Sequence, residues 1–277
     1  MKHSILKWKV VAMGLLTMAF SCTGALSAQT QGSGNRVFTV NHVPLKMVFV
    51  KGGDLQLGCN ESRDDSCSAS ETPAHMVQLS DFYIGETEVT QAQWMAVMGR
   101  DNNPSYWKGN TLPVERVSWN ECQRFVKRLN KFLASELPEG YHFALPSEAQ
   151  WEFAARGGTK SGATRYAGSN DLMKVSWFYS NSNERTHDVR VKAANELGLF
   201  DMSGNVWEWC ADWYDENFYQ VNQDWNNPIN TEETSYYVLK GGSWNYAAPY
   251  QRCAKRDFGS KHSRYEDCGF RVALVPR

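Results

Sequence analysis

From about residue 160 to the C-terminus the chain loses helical periodicity, and glycine, asparagine, tryptophan and tyrosine take over. Loops of that length inside a compact domain usually carry a ligand or a task. The region predicts long loops held on a small sheet. It cannot be a helical bundle or a regular alternation of strands and helices.

The first half is more regular. "VFTVNHV" and "LKMVFVKGGDLQLG" alternate apolar and polar residues and read as short antiparallel strands. Three helices follow, each with a capping box. Thr90 with Gln93 starts one that places Trp94, Val97 and Met98 on one face. Ser118 with Glu121 starts a longer one in which Cys122, Phe125, Val126, Leu129 and Leu133 recur at helical spacing, so Cys122 is expected in the core. Ser147 with Gln150 opens a third, which Gly157 stops. The expected class is α+β, loop-rich, with small antiparallel sheets and a few helices. No tandem repeat is present: "SWN" occurs twice, in different surroundings.

At 277 residues, with 42% hydrophobic content, the chain can bury one sizeable core. Its 29 basic and 30 acidic residues are interspersed and leave a net charge of −1. No nucleic acid is expected as a partner.

The N-terminus reads separately. Lys2, Lys7 and Lys9 precede an apolar run from Val10 to Phe20, followed by small residues, as in a secretory signal peptide ending near Ala28. A membrane span needs about 20 apolar residues, so cleavage is expected rather than anchorage. Cys22 raises a second reading, a lipoprotein held to a membrane through that cysteine, against which bulky Phe20 speaks. Residues 29–36 read as a small, polar linker, and residues 37–277 as one domain. The expected location is outside the cytoplasm: periplasmic, secreted or tethered to an outer membrane.

Removing such a signal leaves six cysteines, and an even count in an exported chain reads as disulfides. Cys59 and Cys67 flank the polar loop "NESRDDS" and are expected to close it. Cys122, Cys210, Cys253 and Cys268 allow three pairings, among which spacing does not choose.

Within "DMSGNVWEWCADWYDENF", period two puts Gly204, Val206, Glu208 and Cys210 on one side of a strand and Trp207 and Trp209 on the other. The tryptophans then belong to the core rather than to a sugar platform. A carboxylate between two buried tryptophans is costly unless paired or bound to a cation. Asp201 and Glu208, with carbonyls from the glycine-containing turn, offer the oxygen shell that calcium takes. The six histidines are scattered, and neither Gly-x-Ser-x-Gly nor a phosphate-cradling loop occurs. Arg252, Arg256 and Arg271 can pair with carboxylates of the preceding region.

Taken in order, "ETEVTQAQW", "PVERVSWNECQRF", "LPSEAQWEFAARGG", "GLFDMSGNVWEW", "LKGGSW" and "CGFRVAL" resemble the formylglycine-generating enzyme family, also called sulfatase-modifying factors, from about residue 44 onward. The resemblance implies a C-type-lectin-like fold. It also implies a calcium site made by the Asp201 side chain, the Gly204 and Val206 carbonyls and the Glu208 side chain. For the cysteines it favours Cys122 with Cys268, leaving Cys210 for Cys253.

The departure lies at the chemistry. Members that oxidise cysteine do so with a copper-binding cysteine pair after the "GGS" block. Here "GGSWNYAAPYQRCAKR" carries Asn245 to Tyr250 at that place and neither cysteine. Thiolates are what would hold Cu(I), so no copper is expected. The favoured reading is an exported, calcium-stabilised binding or assembly module, taking a protein, peptide or glycan in a groove lined by Tyr246, Tyr250, Arg252, Arg256 and Tyr265. The alternatives are an enzyme of the same family acting on exported proteins, by formylglycine generation or another oxidation, and a lectin-like variable binding protein.

Overall fold

The computed structural model describes Met1, residues 34–222 and residues 224–277. The expected signal peptide, Cys22 and most of the expected linker lie outside the described residues. The folded unit spans Ser33–Arg277.

The first sheet begins as a hairpin. β1 (Arg36–Val40) and β2 (Val43–Val50) are joined by Asn41 and His42, both at positive φ, the backbone that a two-residue hairpin turn requires. "VFTVNHV" is therefore not one strand: it contains the turn. β3 (Gly53–Leu57) pairs antiparallel with β4 (His75–Leu79) as a separate ribbon. The first sheet is completed by β5 (Phe82–Gly85), β6 (Tyr141–Ala144) and β11 (Ala273–Pro276), in the order β1-β2-β5-β11-β6. The last strand thus sits between two strands of the first half.

The second sheet holds the loop-rich half together. β7 (Trp207–Trp213), β8 (Tyr237–Lys240), β9 (Asp257–Gly259) and β10 (Cys268–Gly269) run in the order β10-β7-β8-β9. Alternation along β7 works as the sequence requires. Trp207 and Trp209 enter one core cluster with Phe125, Cys122 and Phe270, while Cys210 enters the other with Trp151 and Phe153.

All three helices form where their caps predict, over Gln91–Met98, Trp119–Phe132 and Glu148–Ala155. Glu121 Oε2 accepts from both the N–H and the hydroxyl of Ser118, at 3.0 and 2.9 Å. Between residue 156 and β7 the chain is loop, apart from two short turns of helix. Its backbone groups are satisfied by side chains, as buried loop requires. Asn195, for example, donates to the carbonyls of Ala154 and Ala155 and accepts from the N–H groups of Leu197 and Leu199.

The Cys59–Cys67 disulfide forms as expected. The other four cysteines correct the expectation: Cys122, Cys210, Cys253 and Cys268 are free, fully buried thiols, so neither Cys122–Cys268 nor Cys210–Cys253 is bonded. Each packs as a small apolar side chain in a filled core.

Candidate functional site

Two places converge the residues of interest. The first lies under the turn that leads into β7. Asp201, Gly204 and Asn205 all adopt positive φ. Gly204 is required there, because a Cβ would stand 2.2 Å from the Ser176 hydroxyl and 2.3 Å from the Trp177 carbonyl. The Asn205 amide donates to Glu88 Oε2 at 2.9 Å, and the Val206 N–H donates to Glu88 Oε1 at 3.1 Å.

Glu208 is fully buried and gives both oxygens to Arg271, at 2.6 and 2.7 Å, while Oε2 also accepts from the Trp151 indole at 2.7 Å. The same guanidinium donates to the carbonyls of Gly85 and Phe200. Asp201 accepts from the Arg190 N–H at 2.8 Å. Burial pushes the Asp201 carboxyl up to about 6, with the Glu208 charge adding to it. Burial, then the charges of Asp201 and Glu208, push Glu88 well above the ordinary carboxylate range.

Of the three carboxylates only Glu208 pairs directly with Arg271, while Glu88 and Asp201 act on it through space; a further cation would relieve their mutual repulsion. In the expected calcium set, the Asp201 and Glu208 side chains with the Gly204 and Val206 carbonyls, both Glu208 oxygens are engaged by Arg271, so a cation would have to compete with it. Among the described residues no group of three or more His, Cys, Asp or Glu side chains converges as metal ligands; a set of two carboxylates and two carbonyls is not of that kind.

The second place is the surface above β7 and β9. Tyr246 packs edge-on against Trp207 at 5.5 Å and against Tyr250 at 4.9 Å. Tyr250 is 38% exposed and Tyr265 is 41% exposed. The Tyr246 hydroxyl is pushed up by burial, then by the charges of Asp267 and Asp257 and by the neighbouring Tyr250 and Tyr265. Tyr250, Tyr265, Asp257 and Asp267 thus lie within electrostatic reach of Tyr246, and this group of rings and carboxylates is partly exposed. Asp267 accepts from the Ser243 hydroxyl at 2.9 Å. Beside it, Trp244 is flanked edge-on by Trp107 at 5.0 Å, and Trp107 in turn by Tyr106. Stacking faces with carboxylates between them can hold a sugar, a peptide backbone or a cationic group.

Arg252 and Arg256 do not face outward with these tyrosines, which corrects the expected groove. Both are buried in bidentate pairs: Arg252 with Glu71 at 2.8 and 3.1 Å, Arg256 with Glu148 at 2.7 and 2.9 Å. Arg252 also reaches Cys59 Sγ at 3.3 Å, and Arg256 lies over the rings of Tyr214 and Tyr219. They serve as the pairing cations that the sequence also suggested. Asp257, Asp267 and Trp107 were not singled out from the sequence. The signal available for Asp267 was its place beside the "CGFR" block, whose backbone is fixed by β10.

The cysteines offer no thiolate pair here. Cys253 and Cys268 lie in different core clusters. Burial raises the Cys253 thiol to about 11 and Cys268 well above its ordinary value, so both are protonated near neutral pH.

The pattern of the sulfatase-modifying factor enzyme 1-like domain matches residues 37–275, nearly the whole folded unit. The chain belongs to the sulfatase-modifying factor family. Relatives in this family carry different names. The chain is 34% identical over 241 residues to the chaperone protein LppX of Paenibacillus barcinonensis, covering 69% of this chain and 82% of that protein. It is 31% identical over 304 residues to the formylglycine-generating enzyme of Thermomonospora curvata, covering 83% of this chain and 93% of that enzyme. It spans 38% of the length of the serine/threonine-protein kinase pkn1 of Chlamydia pneumoniae, at 30% identity. Among solved structures, Treponema denticola variable protein 1 superposes with a TM-score of 0.76 at 32% identity, covering 87% of this chain and 99% of that one. The sulfatase-modifying factor fold, with its lectin-like curled sheets, is thus shared with proteins named as formylglycine-generating enzymes and with proteins that are not.

Proposed function

We propose that this family member is an exported, calcium-stabilised binding or assembly module without cysteine oxidase activity. The observation that carries the reading is the exposed Tyr250 and Tyr265 beside Tyr246, with Asp257 and Asp267 acting on it, in a segment without the cysteine pair that copper would need. Stacking rings and acceptor oxygens select a peptide or a glycan of an exported partner, whereas oxidation through Cu(I) needs soft thiolate donors. Likeness to a chaperone and to a variable protein supports a binding role. Calcium, when bound by Asp201, Glu208 and the Gly204 and Val206 carbonyls, would neutralise the acidic cluster beneath the turn and steady the loop that carries Trp244.

The test has two arms. Purified protein with copper and oxygen is given a peptide containing Cys-x-Pro-x-Arg, and its thiol is followed by mass spectrometry. Wild type and Tyr246→Ala/Tyr265→Ala are then compared on peptide and glycan arrays. No oxidation, with array binding lost in the double variant, is expected. Turnover that Cys253→Ser abolishes would overturn the reading in favour of an enzyme.

A further inference from the structure

The Trp119–Phe132 helix is amphipathic in an uneven way. Its inner face buries Cys122, Phe125, Val126 and Leu129, while its outer face carries Arg124, Lys127, Arg128 and Lys131. Glu121 is its single acidic residue, and of the four outer cations only Arg124 pairs with it, at 3.3 Å. Among the described residues neither Lys127, Arg128, Lys131 nor the exposed Arg100 has a carboxylate within ion-pair distance. An unneutralised basic face stands out on a chain whose net charge is −1.

Beside this face lies a groove of about 730 Å³ between the β1–β2 turn, the end of the Gln91–Met98 helix and the Trp119–Phe132 helix. His42, Arg100 and Arg128 line it, no acidic side chain does, and Met95, Met98 and Phe132 supply apolar surface. Phe132 is 53% exposed. Arg128 is held in place by donating to the Met98 carbonyl at 3.0 Å, the acceptor left over at the helix end. The Gly99 turn then carries Arg100 out beside it, and Gly99 adopts a φ of 116°.

We propose that this groove docks an acidic segment of another polypeptide, with an apolar side chain seated against Phe132 and Met98 and carboxylates against Arg100 and Arg128. Charge complementarity selects the acidic partner. Concavity selects a segment over a bilayer, because a flat anionic surface would meet the rim cations and leave the apolar floor unfilled. The groove shares no residue with the tyrosine group, so the two proposals fail independently.

The probe is a fluorescein-labelled peptide of alternating glutamate and leucine, with the lysine–leucine peptide as control, followed by anisotropy. Saturable binding of the acidic peptide is expected, weakening with salt. Arg100→Glu/Arg128→Glu should weaken it by roughly tenfold or more. Phe132→Ser should weaken it without changing the salt dependence. All these side chains are exposed, so melting temperatures should stay near wild type, and Arg100→Glu alone, which breaks no internal bond, should already lower affinity. Equal binding of the basic peptide, or binding that survives charge reversal, would overturn the proposal. So would self-association that charge reversal abolishes, or sedimentation with phosphatidylglycerol vesicles that the acidic peptide does not compete away.

Discussion

Arg271 and Glu208, 63 residues apart, share two hydrogen bonds in the dry centre of the domain and join the C-terminal segment to β7. Breaking such a pair on one side strands a buried charge, which costs about 3–5 kcal/mol. Arg271→Met should therefore lower the melting temperature sharply, and Glu208→Gln added to it should restore much of the loss. A single variant that melts with wild type would show that the pair carries no stability.

Calcium should raise the melting temperature through the same cluster. Binding only to the folded state adds on the order of 3 kcal/mol at a hundredfold excess over Kd. Chelator should reverse the gain, and Asp201→Ala should abolish the difference between chelated and calcium-loaded protein. Identical melting of wild type in both conditions removes the site from consideration.

Glu115 makes stability depend on pH. Its carboxyl is buried, accepts from the N–H groups of Tyr106 and Trp107 through one oxygen, and is pushed by burial from 4.5 to about 8. The folded chain then keeps a proton that the unfolded chain releases, so stability is full below about pH 4.5 and is lost as pH rises through about 8. Glu115→Gln should melt above wild type at alkaline pH and close to it in acid. Parallel curves for the two proteins would remove Glu115 as the cause.

Thiol counting tests the cysteines. Denatured, unreduced protein should yield reactive thiols at Cys122, Cys210, Cys253 and Cys268, the four free cysteines among the described residues, and peptide mapping should recover Cys59 joined to Cys67. A recovered Cys122–Cys268 crosslink would restore the pairing that the family resemblance implies.

Much of the frame was legible because it rests on local rules. Thr90, Ser118 and Ser147 each close a capping box, and the period of two along β7 sorted its tryptophans from Cys210. The tyrosine group was only half legible. Tyr246, Tyr250 and Tyr265 could be named, but whether an arginine points inward or outward depends on a partner far away in sequence. Glu71 lies 181 residues from Arg252, and Glu148 lies 108 from Arg256. Nothing local to "QRCAKR" announces either carboxylate. Asp257 and Asp267 come to one sheet from β9 and from the residue before β10, at its opposite edges, which is a property of topology rather than of pattern.

The segment from Ser243 to Arg271 divides its labour residue by residue. Arg252, Arg256 and Arg271 are buried and hydrogen-bonded to the body of the domain, and Ser243 and Gln251 are buried and hydrogen-bonded within the segment, whereas Asn245, Ala247, Pro249, Tyr250, Phe258 and Tyr265 face outward between them. Anchoring and display are thereby separated along one segment. Substitution at the outward positions can change the surface this segment presents without renegotiating how the protein folds.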